Sequence, residues 1–517
     1  MSGTLARNAP SRGLVWHIFR KDWRLLWPLA VATAATQALL MVLIRHSEPF
    51  PMRESLSAVA ALVTLGLAIG MTLLIVLSIQ HEAIPSINQD WLVRPVKRRD
   101  LLLGKLLSLV LLVHGPIVAV HVVQGLAEGF PPGSVLHATL VSNFEVALCY
   151  TLPVMAIAAM TRSVVEAIIF GLAIALVSVL AGFVFSTPTG GTGLKWIWRS
   201  LSHAELLLVT IAAIGWQYFR RSRDSTQQAR ALFACGMVLF TLIPALPWGP
   251  AFSIQRAFSA HPQASRPVTV AVEPGGVDPG AVNPVAASDL DRQILAEAKK
   301  ADSPDPASVR LALPVRFSGL PAGALVHADR TDFRLVRGDG TVVYRGLGHV
   351  FDLPADGAGT VRQTLQIPAD VYAKIADQPL RLELEYFATL LRGVTVSSPV
   401  PLNDARRVPG FGWCATRVDS KSTSVEVGCR QIVALPFCIS MALQPQNGPE
   451  KFVCELNYEP VPLRFSVDPI DHVEATVPMG DQKGAEVTIR VYEPEDHFFR
   501  AVVVSGLRPK EWRMTSP

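Results

Sequence analysis

Apolar positions are spread unevenly along the chain. From Trp27 to Trp248 they run almost continuously, whereas Ser259 to Pro517 reads as an ordinary soluble domain. A hydrocarbon core needs about 20 consecutive apolar residues of helix. Seven segments approach that length: Pro28–Ile44, Ser57–Ile79, Leu101–Val123, Thr139–Met160, Val164–Phe185, Leu206–Phe219 and Ala231–Trp248. The sixth is short, and only Thr161, Arg162 and Ser163 separate the fourth from the fifth. The pattern predicts an α-helical polytopic membrane domain of six to seven transmembrane helices over residues 28–250. Before it, within residues 1–27, a basic, aromatic helix is expected to lie in the membrane interface, with Trp16, Phe19, Trp23 and Leu26 near one face.

After Trp248 the periodicity changes. Residues 251–287 are rich in Pro, Gly, Ala and Val and predict a linker with one strand near Pro267–Val272. Leu290, Ile294 and Ala298 have helical spacing after Ser288, a plausible N-cap. Strand-like runs follow at Ser308–Phe317, Asp332–Val336, Thr341–Tyr344, Arg381–Phe387 and Gly393–Val396. Others lie at Ser424–Val427, Gln431–Leu435, Phe452–Leu456, Leu463–Val467, Ala485–Tyr492 and Phe499–Val504. Polar turns such as Gly338-Asp339-Gly340 separate them. The expectation is a mainly-β, β-sandwich-like soluble domain in two modules, 288–405 and 406–517.

Composition agrees with a membrane protein: half of the residues are hydrophobic, and mean hydropathy is +0.34. The net charge of +5 is no pointer to nucleic acid, because the positive residues sit in short connections between apolar runs. On one side fall Arg7, Arg12, Arg20, Lys21, Arg24, Arg94, Lys97, Arg98, Arg99, Lys105, Arg162, Arg220, Arg221, Arg223 and Arg230; on the other, only Arg45, Arg53, Lys195 and Arg199. The positive-inside rule then puts the N-terminus in the cytoplasm, and an odd number of spans puts the β-rich half outside. A non-crossing sixth segment would reverse that placement.

Cys149 and Cys235 fall in spans and are expected to behave as small hydrophobes. The other four cysteines, Cys414, Cys429, Cys438 and Cys454, lie in the soluble half and read as a disulfide framework in an oxidising compartment, with three possible connectivities. Cys414–Cys429 with Cys438–Cys454 is favoured, since each pair closes a hairpin-sized loop. Their spacing does not suit zinc. Neither G-x-S-x-G nor H-E-x-x-H occurs. His472 and His497 stand alone in the sequence, where core or surface roles outweigh catalysis. No catalytic, cofactor or metal residues are expected, and the chain does not read as an enzyme.

The segment QDWLVRPVKRRDLLLGKL, Gln89–Leu106, places Arg-Pro and a basic cluster between two spans and opens the second with Gly-Lys. It resembles the first cytoplasmic loop of the type-2 ATP-binding-cassette (ABC) permeases through Arg94, Pro95, Val96, Arg98, Gly104 and Lys105. Val15–Trp27 resembles that family's interfacial helix. The chain has no G-x-x-x-x-G-K-[ST], so it lacks that route to ATP. The resemblance implies the permease subunit of an exporter, without a cofactor of its own. It would act as a homodimer or heterodimer with two copies of a separate ATPase, in a bacterial inner membrane with the β-rich half in the periplasm. Residues 84–99 would be the ATPase-coupling loop, and Arg94, Pro95, Lys97, Arg98, Arg99, Gly104 and Lys105 its expected working residues; the basic cluster could also hold anionic membrane lipid. A plain positive-inside anchor for an extracytoplasmic binding or sensory domain is the competing reading. Within the spans, ionisable groups are costly and face partners or cavities. Glu166 can reach Arg162 one turn away, and Glu145 has the depth to meet His114 or His121. Pro116 and Pro153 are expected to loosen their helices.

Overall fold

The computed structural model describes residues 12–46, 54–81, 98–185, 195–219, 223–243, 246–273, 308–348, 351–354, 360–396, 400–408, 412–419, 424–432, 438–444, 451–456, 470–478 and 486–513. The helix expected near 289–300 and the strand at 463–467 lie outside them. The apolar segments are helical. Helices α1 (Arg12–His46) and α2 (Glu54–Gln80) carry the first two. Helix α3 consists of Arg98–Leu109 and Gly115–Ala127 joined through a π-helical turn, Val110–His114. Helix α4 is built alike, from Pro132–Val146 and Leu152–Met160 around the π-turn Ala147–Thr151. Helices α5 (Val164–Phe185), α6 (Lys195–Phe219), α7 (Arg223–Leu242) and α8 (Trp248–Ala257) complete this half. The two π-turns have one cause: Pro116 and Pro153 each follow one closely, and a proline can neither donate to the carbonyl four residues back nor avoid its bulk. An extra residue in the turn relieves both conflicts.

Among the described residues, four helices are long and apolar enough to cross a membrane: Gly13–Leu43, Ala58–Gln80, Arg99–Ala127 and Pro132–Met160. This is fewer than the six to seven expected. The run Val164–Leu180 is apolar but shorter. Helix α6 includes Lys195, Arg199 and Glu205, and α7 includes Arg223, Asp224 and Arg230, so both are helical yet diluted by charge. The first helix runs unbroken from its basic turns through Pro28 into the span. Phe19 and Leu26 are buried, whereas Trp16, Trp23 and Trp27 are exposed.

The second half is a mainly-β antiparallel domain. Its strands are β1 (Thr269–Val272), β2 (Ser308–Ser318), β3 (Ala324–Val336), β4 (Val342–Gly348), β5 (Asp352–Pro354), β6 (Thr360–Pro368), β7 (Leu380–Val396) and β8 (Val400–Pro401). They continue as β9 (Ala405–Val408), β10 (Gly412–Asp419), β11 (Ser424–Ile432), β12 (Cys438–Gln444), β13 (Lys451–Leu456), β14 (Ile470–Pro478) and β15 (Glu486–Leu507). A short helix, α9 (Ala369–Ile375), follows β6. The larger sheet has the order β1-β2-β6-β4-β3-β7-β15-β12-β13, with β5 on β3 and β8 on β15; the smaller is β14-β11-β10-β9. Strand β15 lies beside β7, so the larger sheet draws on both sides of residue 405. Its core is the alternating buried set Leu311, Leu313, Val315 and Leu382, Leu384, Tyr386, Ala388.

Contacts sort the helix ends into two groups. Gln80 donates to Thr161 at 2.9 Å, Gln217 to Thr226 at 3.3 Å, and Lys105 bonds Asp22; these tie one end together. At the other end Trp413 Nε1 donates to the Glu128 carbonyl at 3.2 Å, and Arg407 to that of Gly129. The β-domain therefore sits on the end of the bundle opposite Arg20, Lys21 and Arg24.

Candidate functional site

Helices α1, α3 and α4 share a polar seam. At its basic end, Lys105 Nζ donates to both carboxylate oxygens of Asp22 at 3.0 Å, and Ser108 Oγ donates to Asp22 Oδ2 at 3.0 Å. Both charged side chains are about 1% exposed, so the pair is shut away from water. Gly104 makes this crossing possible: a Cβ there would lie 2.8 Å from Ile18 Cγ2. Gly104 and Lys105 thus lie within α3, clamped to α1. Arg99 is exposed, the side chain of Arg98 lies outside the described residues, and so do Arg94, Pro95 and Lys97.

Deeper in the seam the histidines take partners the sequence reading did not anticipate. His114 Nδ1, in the π-turn of α3, lies 2.8 Å from Asn143 Oδ1 of α4. The Gln37 amide donates to His121 Nε2 at 2.9 Å, which puts the ring proton on Nδ1. His121 Nδ1 and Gln37 Oε1 are buried without a partner among the described residues. Glu145 was the expected partner of these rings; Asn143 of α4 and Gln37 of α1 bond them instead. Glu166 pairs with Arg230 of α7 rather than with the Arg162 side chain. It accepts from the Arg162 backbone N–H at 2.6 Å, while its own N–H donates to Ser163 Oγ at 3.2 Å, a variant of the capping box. Arg230 also donates to the Met160 carbonyl at 2.6 Å, which binds α7 to the α4–α5 corner.

In the β-domain, Cys414 and Cys429 form a disulfide. The side chains of Cys438 and Cys454 lie outside the described residues. Their strands pair with Cys438 opposite Leu456 and Cys454 opposite Ser440, two positions out of step on one face. Cys149 and Cys235 are not disulfide-bonded.

A second polar cluster lies where the β-domain meets α8, and sequence reading missed it. Strand β3 breaks register with β7 between Ala328 and Arg330, and β15 does so between Pro494 and Asp496. A bulge re-aims side chains: these two turn Asp329 and His497 inward on either side of Thr389. Thr389 Oγ donates to Asp329 Oδ2 at 2.6 Å. His497 Nδ1 lies 2.8 Å from that hydroxyl and 3.0 Å from the Gln255 amide nitrogen of α8. Asp496 Oδ2 accepts from the Ser265 N–H at 3.0 Å. Around the cluster, Phe387 meets Trp248 and Phe252 edge-on, at 6.3 and 5.1 Å between centroids, and Arg330 lies over Trp248 at 5.3 Å. Pro494 lies between two strand-like runs of the sequence, Ala485–Tyr492 and Phe499–Val504, which the structure joins into the single bulged strand β15. Among the described residues no group of three or more His, Cys, Asp or Glu has the arrangement to hold a metal ion.

Burial pushes the His497 imidazole down to about 4, against a smaller opposing pull from Asp496. Its folded value lies below the unfolded value near 6.5, so its stabilisation is fully present above that pH and is lost as pH falls toward 4. The slope is about 1.4 kcal/mol per pH unit at most. Thermal unfolding of the detergent-solubilised chain at pH 7, 6 and 5 should show the β-domain weakening. His497→Gln should flatten that trend; an unchanged slope would remove His497 as its source.

No family model and no curated protein matches this chain. Among solved structures, red sea bream transglutaminase is similar over 42% of this chain and 33% of its own, at 8% identity and a TM-score of 0.12. A Bacillus thuringiensis Cry1Da tryptic core variant is similar over 96% of each chain, at 10% identity and a TM-score of 0.11. The chain spans about a third of the transglutaminase. Scores this low carry no argument about fold or function.

Proposed function

We propose that this chain is the membrane-spanning permease subunit of an ABC exporter, driven by a separate ATPase and paired with a second permease subunit. In this reading α1 to α7 all cross the membrane, and the N-terminus is cytoplasmic. The β-sandwich-like domain faces the periplasm from the inner membrane. The basic turns of α1 lie at the opposite end of the bundle from the β-domain, and the Cys414–Cys429 bond suits an oxidising compartment. Both support that orientation.

The observation that carries the reading is the Asp22–Lys105 pair. It fixes the basic turns of α1 to the first turns of α3, next to the connection that holds Arg94 and Pro95. A push on that connection would move α1 and α3 together, and α3 and α4 each contain a proline-linked π-turn that can yield. A membrane-anchored extracytoplasmic binding protein is the second reading. The aromatic seat of Phe387 on Trp248 and Phe252 favours it, since a fixed attachment needs no transport.

Arg94→Ala leaves Lys97, Arg98, Arg99 and Lys105 on the same side, so orientation should survive. Pro95→Ala changes no charge but frees a backbone angle that proline holds near about −65°. Both variants should insert at normal levels yet lose co-purification with a Walker-motif ATPase from native membranes, or lose stimulation of its ATP hydrolysis. Normal association and hydrolysis in both would leave the anchor reading.

A further inference from the structure

The polar seam changes character along its length. Toward the basic end its side chains satisfy one another: Lys105 and Ser108 bond Asp22, and His114 lies 2.8 Å from Asn143. Toward the β-domain they do not. His121 Nδ1, Gln37 Oε1 and Thr139 Oγ1 are buried with no hydrogen-bond partner among the described residues. Each of these three residues is 0% exposed, and every residue within one turn of them on α1, α3 and α4 is described. Further along α3, Gln124 Oε1 and Glu128 Oε2 are likewise buried and unpartnered among the described residues.

Helix geometry brings the three deep groups to one level. The Gln37 amide lies 2.9 Å from His121 Nε2. Thr139 is one turn from Asn143 and so shares its face of α4. Asn143 meets α3 at His114, which lies two turns before His121 on one face of α3. Val122 of α3 packs with Val135 of α4, so the two helices keep one antiparallel register. In that register Thr139 stands between His114 and His121 in depth.

A buried polar atom without a partner costs about 1–3 kcal/mol, and three at one level call for an occupant. The donor count defines its chemistry. With the Gln37 amide donating to Nε2, His121 Nδ1 has a proton to donate and Gln37 Oε1 has lone pairs to offer. Turning the amide over exchanges these roles. Either way the level presents one donor and one acceptor beside the Thr139 hydroxyl, which does both. An anion only accepts and a metal cation only takes lone pairs, so neither complements it. A neutral O–H group complements it fully.

We propose that this level of the seam binds water, which enters from the β-domain end along Gln124 and Glu128 and stops at the His114–Asn143 pair. Buried waters make about three hydrogen bonds, as many as the groups on offer. The spans then hold an aqueous inlet on one side only, where intramembrane polar groups find their partners. The proposal rests on α3 and α4 crossing the membrane and not on an ATPase.

X-ray radiolytic footprinting of the full chain in detergent, with isotope-labelled water, tests this. The pulse splits bound water into radicals that oxidise side chains beside it, and peptide mass mapping reads the added oxygen. His121 and Met41 should both carry solvent-derived oxygen. Met41 is one turn from Gln37 and only 5% exposed, so radicals from bulk solvent do not account for its label. Gln37→Leu/His121→Phe removes the polar atoms and should abolish the Met41 label. Thr139→Val, almost isosteric, removes one partner of three and should lower it severalfold, which serves if the double variant folds poorly. Arg334→Gln, on the β-domain, should leave it unchanged. Absence of the label from either residue of the parent overturns the proposal, because the atoms are then buried dry. A Met41 label that survives the seam variants overturns it as well, since the water is then held elsewhere.

Discussion

Lys105→Met should destabilise the helical half by about 3–5 kcal/mol, because it leaves Asp22 as a buried charge without its partner. Asp22→Leu should do the same to Lys105. The double variant should recover most of the loss, since a buried ion pair replaced by apolar groups of similar volume is often neutral. Ser108 would then lose its acceptor on Asp22 but keep the Gly104 carbonyl at 3.0 Å. Unfolding the detergent-solubilised chain with graded SDS, followed by tryptophan fluorescence, measures all three. Single variants within about 1 kcal/mol of the parent would mean that the charged ends reach water. The double variant also separates structure from mechanism. If it is stable and still couples to an ATPase, the pair is only a clamp. If it is stable and uncoupled, the α1–α3 joint transmits force.

This pair marks where sequence reading stops. The helices were legible because a run of apolar residues such as Leu101–Val123 has few other folded states, and Pro116 and Pro153 announced the irregular turns within them. Lys105 was legible as a charge at a helix start, but not as buried. Its partner is 83 residues away, and Gly104 lets Ile18 and the rest of α1 come close enough. Gln37 and Asn143 were missed as partners of His121 and His114 for a similar reason: depth can be counted along a helix, but helix rotation and the register shift of a π-turn cannot.

The β-domain repeats the lesson. Alternation at Ser308–Phe317 and Arg381–Phe387 predicted strands that form, and the Gly338-Asp339-Gly340 turn joins β3 to β4 with Gly340 at φ 88°. Strand order was beyond such reasoning, since β15 comes back beside β7 after the hairpins of both sheets. The Asp329, Thr389 and His497 cluster depends on that return and on two bulges. His497 therefore looked solitary in the sequence although it bridges β7 and α8.

Removing the Cys414–Cys429 bond should cost the β-domain about 3 kcal/mol, the loop-closure value for a separation near 15 residues. The two residues are directly opposed in the β10–β11 register and wholly buried. The bond therefore crosses the middle pair of the four-stranded sheet, and a sheet this small has little core of its own with which to offset the loss. Cys414→Ala/Cys429→Ala, which leaves no unpaired thiol at that position, should lower the unfolding midpoint of the β-domain while leaving the helical half unchanged. Parent chain treated with a reductant should match the variant if this bond dominates, and should fall further if Cys438–Cys454 is also bonded. Non-reducing peptide mapping decides that second pair directly: the Cys414–Cys429 peptide is expected in either case. An unchanged midpoint in the double variant would show that the sheet holds by packing alone. Free thiols at both Cys414 and Cys429 on the mapped chain would sink the disulfide, and with it one of the two supports for placing this domain in an oxidising compartment.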